Sequence, residues 1–238
     1  MGIDIGLINE RVTPGIDSAS IRGRGCSVAA VMEALGRSTP ADVASRFQIE
    51  PADILAALAW SGLGPESSPR LALVHENPRE RALRPSLMEP AWAEVFPGSP
   101  RPARLALAAG LLQILDFWDE SHEAAQSADD LGEHSLSPYW HGIAHRREPD
   151  PGNAAYWFRR VGRHPVFQDL GRRASGLLDA EGDSRLKSQL LKNGWDPYAM
   201  IELCTQAGSN ENLARRLQRL ELSLLFEATT RPLITLRS

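Results

Sequence analysis

The side chains able to do chemistry are crowded into one stretch of this 238-residue chain: all six histidines lie between positions 75 and 164, and five of them between 122 and 164. His141, His145 and Glu148 stand four and three residues apart, so a helix places them within about 60° of one another on one face. Two imidazoles one helical turn apart can offer two nitrogens to one divalent metal ion. A carboxylate a turn further on could complete the set or serve as a general base. The other reading of the same spacing is a solvated His/Glu face on a short helix. Gly142 rather than glutamate follows His141, so the metalloprotease H-E-x-x-H motif is absent, and so is the paired Glu-x-x-His of di-iron bundles. His122 is the third imidazole. On a helix over 103–130, at about 100° per residue, Leu107, Leu111, Ile114, Leu115 and Trp118 share an apolar face, with Asp116, Glu120 and Glu123 nearly opposite. His122 falls on the apolar face one turn beyond Trp118, flanked by Asp119 and Gln126. An inward histidine beside a carboxylate is either a hydrogen-bonded core residue or a ligand or base. The expectation is that His122, His141 and His145 converge, with Glu148, on a site for a divalent metal.

Arginine borders this stretch. Seven arginines and no lysine stand from Arg146 to Arg173, and seven carboxylates with no lysine or arginine stand from Asp116 to Glu133. Guanidinium forks suit carboxylates and phosphates, so Arg146, Arg147, Arg159 and Arg160, with Asn153, Tyr156, Trp157 and His164, are expected to line a site for a small anionic ligand. An internal lattice of salt bridges between the two segments is the alternative. Tyr156, Trp157 and Phe158 in succession cannot all face one core, so at least one is expected on a pocket or partner surface. The segment YWHGIAHRREPDPGNAAYWFRRVGRHP resembles a pattern, Y-W-H-x-[IL]-x-H-R-R-E-x-D-x-x-N-x-x-Y-W-F-R-R-V-G-x-H-P, found in uncharacterised bacterial and fungal proteins. The resemblance covers about residues 120–170 and implies no activity. It carries over His141, His145, Arg146, Arg147, Glu148, Asn153, Tyr156, Trp157, Arg159, Arg160 and His164.

The elements that must position these residues read as helices. Val28 to Leu35 is a short apolar-periodic helix ended by Gly36. Thr39 with Pro40 and Asp42 starts a helix to about Phe47, and Glu50-Pro51 starts another up to Gly62. Two short helices a few residues apart suggest a helix-turn-helix. SIRGRGCSVAAVMEALGRSTPADVASRFQIEPADILAALAWSG resembles the small helical family called domain of unknown function 433, commonly associated with VapB-like antitoxins, over about residues 10–62. The turn Ile21-Arg22-Gly23-Arg24-Gly25 departs from that family's "I-[KR]-G-T-R". The helix in the recognition position, Pro51 to Gly62, contains Asp53 and no lysine or arginine, whereas base reading depends on Arg, Lys, Asn or Gln. Residues 1–64 hold five arginines against seven carboxylates. Specific DNA binding is therefore not expected, and a packing or dimerisation module is.

Prolines at 65, 69, 78, 85, 90, 97, 100 and 102 mark a connection, with short helices expected from Asn77 to Arg84 and from Ser86 to Phe96. Beyond it, helices are expected at about 103–130, 138–148, 151–161, 165–180, 184–193, 196–207 and 210–230, punctuated by glycines. The fold class is accordingly all-α: a helix-turn-helix-like unit over 1–64, a proline-rich connection over 65–102 and a larger irregular bundle over 103–238 that carries the site. Hydrophobic residues make up 42% and charged residues 24%, with a net charge of −4, the balance of an ordinary globular protein. No run of eighteen apolar residues offers a membrane span, and MGIDIGLINERVTPG lacks the pattern of a signal peptide. Cys26 and Cys204 alone make neither a disulfide framework nor a zinc site, and a cytoplasmic location is expected. No phosphate-binding G-x-x-x-x-G-K-[ST], G-x-G-x-x-G or G-x-S-x-G nucleophile motif is present. The functional expectation is a His/Glu/Arg-lined site for a metal or small anion, with hydrolytic or lyase-type chemistry open to it. The competing class is a non-enzymatic, antitoxin-like regulatory or interaction module, for which a homodimer is a natural form.

Overall fold

Local start signals set the first helices. A computed structural model describes residues 6–15 and 19–236; the first five residues of the stretch examined for a signal peptide, and residues 16–18 within the antitoxin-like resemblance, lie outside these. Helix α1 (Gly6–Arg11) leads into a two-stranded antiparallel hairpin, β1 (Val12–Thr13) and β2 (Ser20–Ile21), with Val12 opposite Ile21. Helices α2 (Val28–Leu35) and α3 (Pro40–Phe47) follow. Ser27 caps α2 by accepting the Ala30 N–H, and Thr39 caps α3 by accepting the Asp42 N–H. In α4 (Pro51–Leu63), Asp53 accepts the Glu50 N–H at 2.9 Å and an Arg11 donor at 2.8 Å. Residues Ala52–Trp60 of α4 are all buried, packed among α1, α2, α7 and α14. Side chains from Ile8 to Leu233 join one hydrophobic core.

The connection after α4 is a strap with little helix until α5 (Arg84–Leu87) and α6 (Glu89–Val95). The helix expected from Asn77 begins only with a short 3-10 turn at Arg81. Arginines hold the strap by its carbonyls. Arg219 donates to Gly64, Arg215 to Pro69, and Arg147 to Ala72, while the His75 N–H donates to the Arg147 carbonyl at 3.0 Å.

The bundle proper consists of α7 (Arg101–Ile114), α8 (Trp118–Asp130), α9 (Ser137–Arg147), α10 (Pro151–Val161), α11 (Val166–Glu181), α12 (Ser184–Leu191), α13 (Pro197–Thr205) and α14 (Glu211–Thr235). The chain is predominantly α-helical, as expected. The single helix expected over 103–130 is corrected: it breaks between Ile114 and Trp118. Asp116 there has φ 64°, a left-handed conformation that aspartate adopts more readily than most residues. Its carboxylate accepts from Arg147 at 2.6 Å and from the Glu76 N–H at 3.3 Å. The reversal folds α8 back along α7, where the Ser121 hydroxyl donates to the Ala109 carbonyl at 2.9 Å. That return turns His122 towards α9.

Helix α9 is buried along its whole length, from Ser137 to Arg147. Two glycines admit it to the core. A Cβ on Gly110 of α7 would lie 2.7 Å from the Trp140 ring, and one on Gly142 would lie 3.1 Å from Phe158 of α10. Asp150 caps α10 by accepting the Asn153 N–H at 3.0 Å, with Pro151 in its first turn. Among the described residues no helix is long and apolar enough to cross a membrane.

Candidate metal centre

Helices α8 and α9 bring three imidazoles together. One ring nitrogen from each of His122, His141 and His145 lies within 4.8 Å of the others. The ring centroids are 4.3 Å apart for His122 and His141, and 5.0 Å apart for each of the other two pairs. A tetrahedral zinc with Zn–N bonds of about 2.0–2.1 Å holds its nitrogens about 3.3 Å apart, so small ring rotations would close the gap. His141 is 1% exposed and His145 8%, whereas His122 is half-buried and forms the side nearest solvent.

Aromatic rings wall the cluster. Trp157 of α10 stacks on His141 at 3.8 Å, and Trp118 stacks on His122 at 5.3 Å while its indole N–H donates to the Ala144 carbonyl at 2.8 Å. His75, which stands alone in the sequence, stacks on Trp118 at 5.4 Å. Of the three successive aromatic residues, Trp157 and Phe158 are buried and Tyr156 is exposed.

Two of the three imidazoles are held towards their neutral form. Burial, then the neighbouring His122 and His145, hold His141 down at about 3. Burial, then His145, also lowers His122 from its ordinary 6.5. Neutral imidazoles present lone pairs, the form that a metal takes. His141 Nδ1 is moreover buried without a hydrogen-bond partner, a position that a native fold seldom leaves unused.

Glu148 is placed differently from expectation. Its carboxylate meets His145 Nδ1 at 2.9 Å, and its close cluster is with His145 and Asp150 rather than with all three imidazoles. It therefore orients the His145 ring and leaves Nε2 for a ligand, the usual arrangement of a carboxylate beside a metal-binding histidine.

The anion-binding rim expected of the arginines divides. Arg146 and Arg147 are corrected: both are buried and committed to interior carboxylates. Arg146 Nη2 donates to Glu221 at 2.6 Å, leaving Nε and Nη1 unpartnered, and Glu221 also accepts from the Tyr139 hydroxyl at 3.0 Å. Arg147 donates to Asp116, to the Gln113 carbonyl at 3.1 Å and to the strap. Asn153 serves the α10 cap, its side-chain amide donating to Asp150 at 2.7 Å. Arg160 is 40% exposed, donates through Nη2 to both Asp129 oxygens at 2.9 and 2.7 Å, and lies 5.1 Å over the Trp157 ring. Burial pushes Asp129 up, but the bonds from His134 and Arg160 outweigh it and hold the carboxyl below its ordinary value. Arg159 and Tyr156 are exposed. His164 is buried, with Nδ1 accepting the Val166 N–H at 3.2 Å, and belongs to a different cleft.

The pairs Arg147–Asp116 and Arg160–Asp129 are of the kind that the alternative reading, a salt-bridge lattice between the two segments, described. Sequence reasoning missed Glu221, which lies outside both segments, as the partner of Arg146, and His75 as part of the aromatic wall. No family model, no curated protein and no solved structure matches this chain.

Proposed function

We propose that this protein binds one divalent transition metal ion, zinc or ferrous iron, through His122, His141 and His145. The convergence of three imidazoles, one with a buried and unpartnered nitrogen, carries this reading. Three nitrogen ligands leave a coordination position open, and a metal held so supplies Lewis acidity and lowers the pKa of bound water to about 7. Hydrolytic or lyase-type chemistry on a small molecule follows from that arrangement. The half-buried side at His122 is the entry, and the Arg160–Asp129 pair lies over Trp157, the ring stacked on His141. Glu148 holds His145 in the tautomer that presents Nε2 to the metal. A DNA-reading role for α4 forms no part of this proposal, because its residues Ala52–Trp60 are buried.

The test is direct. Protein stripped with a chelator is titrated with zinc and with ferrous iron, and bound metal is counted by elemental analysis. One ion per chain is expected for the native sequence, and none for His122→Ala or His141→Ala. A native chain that takes up no metal, or variants that take up as much as the native chain, would overturn the proposal.

A further inference from the structure

A second concavity lies away from the imidazoles, bounded by α10, α11, α12 and the start of α13. It is a cleft of about 1220 Å³, somewhat larger than the roughly 300–1,000 Å³ of ordinary small-molecule sites. His164 contributes to its wall, and none of the three clustered histidines does.

Its lining is positively charged. Arg163, Arg185 and Lys192 line it, and none of the three makes an ion pair among the described residues. Their neighbours do: Arg172 pairs with Asp169, Lys187 with Asp179, and Arg216 with Glu181. Asp196 is the carboxylate in the cleft wall, and it is spent on the Tyr198 and Ala199 N–H groups at 2.8 and 3.2 Å as the cap of α13. On a chain whose net charge is −4, three unpaired cations around one cleft concentrate a positive potential that draws anions in. Guanidinium forks match phosphate oxygens in particular.

Aromatic surface accompanies the charge. Tyr198 lines the cleft and is 43% exposed, unusual for so large a ring. Trp195, 5% exposed, is part of the same wall, and its indole N–H has no hydrogen-bond partner. A flat ring laid on Tyr198, with anionic groups reaching the cations, would use both features. We propose that this cleft binds a phosphorylated small molecule carrying a flat ring, of the nucleotide type. The proposal is independent of the metal centre.

Calorimetric titration of the whole chain, in buffer containing a chelator, tests it with three probes: adenosine diphosphate, adenosine and inorganic pyrophosphate. The diphosphate is expected to bind, and adenosine and pyrophosphate to bind at least about tenfold more weakly, since each offers only half of the recognition. The triple variant Arg163→Ala, Arg185→Ala, Lys192→Ala changes exposed residues, so it should fold normally, and its affinity for the diphosphate should fall at least about tenfold. Tyr198→Ala should weaken the diphosphate and leave pyrophosphate unchanged. His141→Ala should leave diphosphate binding intact. The proposal is overturned by no binding of the diphosphate at millimolar concentration, by affinity retained in the triple variant, by adenosine or pyrophosphate binding as tightly as the diphosphate, or by loss of binding in His141→Ala, which would place the ligand at the imidazoles.

Discussion

Arg147 and His141 sit two turns apart on α9, 0% and 1% exposed, and they are buried on different terms. Every guanidinium nitrogen of Arg147 has an acceptor: the Asp116 carboxylate and the carbonyls of Gln113 and Ala72. Those three bonds join the end of α9 to the reversal between α7 and α8 and to the strap. His141 has a ring against Trp157 and a buried nitrogen without a hydrogen-bond partner. A buried charge with its partners in place is an anchor, because removing a partner leaves it stranded in a poor solvent for ions. A buried neutral imidazole without a partner contributes little to the fold as it stands and keeps its lone pair for a ligand. One helix thus carries an anchoring end and the face proposed to bind, and the anchor holds the α7–α8 reversal that delivers His122.

Asp116→Asn should have the largest effect and break the anchor. Asparagine tolerates the left-handed backbone at this position, so the change isolates the charge. About 3–5 kcal/mol of stability should be lost, read from urea unfolding. A loss below about 1 kcal/mol, the range of an exposed pair, would mean that Arg147 is no anchor.

Glu148→Gln sharpens the other side of the comparison. Metal affinity should fall about 10–100-fold with one ion per chain retained. Unchanged affinity would show that the carboxylate does not orient His145, and loss of the ion altogether would make Glu148 a direct ligand.

Acid should act on the binding face of the metal-free chain. His141 is held at about 3 in the folded state, against an ordinary 6.5. Below 6.5 the unfolded chain takes up a proton there that the folded chain refuses. Stability from this group is therefore complete above 6.5 and is lost as pH falls towards 3, by up to about 1.4 kcal/mol per pH unit. His122 is lowered in the same direction and adds to the slope. Urea midpoints measured from about pH 7 down to about pH 4 check this, and His141→Phe should flatten the profile; an identical slope in the variant would count against it.

The smallest expected effect is on stability at neutral pH in that same variant. Phenylalanine keeps a ring against Trp157 and removes the unpartnered nitrogen, so the metal-free chain should change by less than about 1 kcal/mol while its metal uptake is abolished. A loss comparable to that of Asp116→Asn would erase the distinction between anchor and binding face.

Much of this was legible along the chain because it is local. Thr39 caps its helix within three residues, and α2, α3 and α10 begin and end where the sequence reading places them. Helical spacing alone puts His141 and His145 on one face. What lies across the chain was not legible. The break at Asp116 depends on Arg147, 31 residues later, and the partner of Arg146 is Glu221, 75 residues later. The charged end of α9 reads in sequence either as the lining of an anion site or as part of a salt-bridge lattice; arginine is seldom buried unless paired, and only the tertiary structure supplies the pairs. The cleft beside α12 likewise has no sequence signature, since a concavity is made by how helices stop short of one another. Caps and periodicity act through neighbouring residues, so the sequence by itself determined most of the helices and the spacing of the imidazoles. Burial and charge pairing act through whatever the fold brings near, so the tertiary structure decided which polar groups anchor and which stay free to bind.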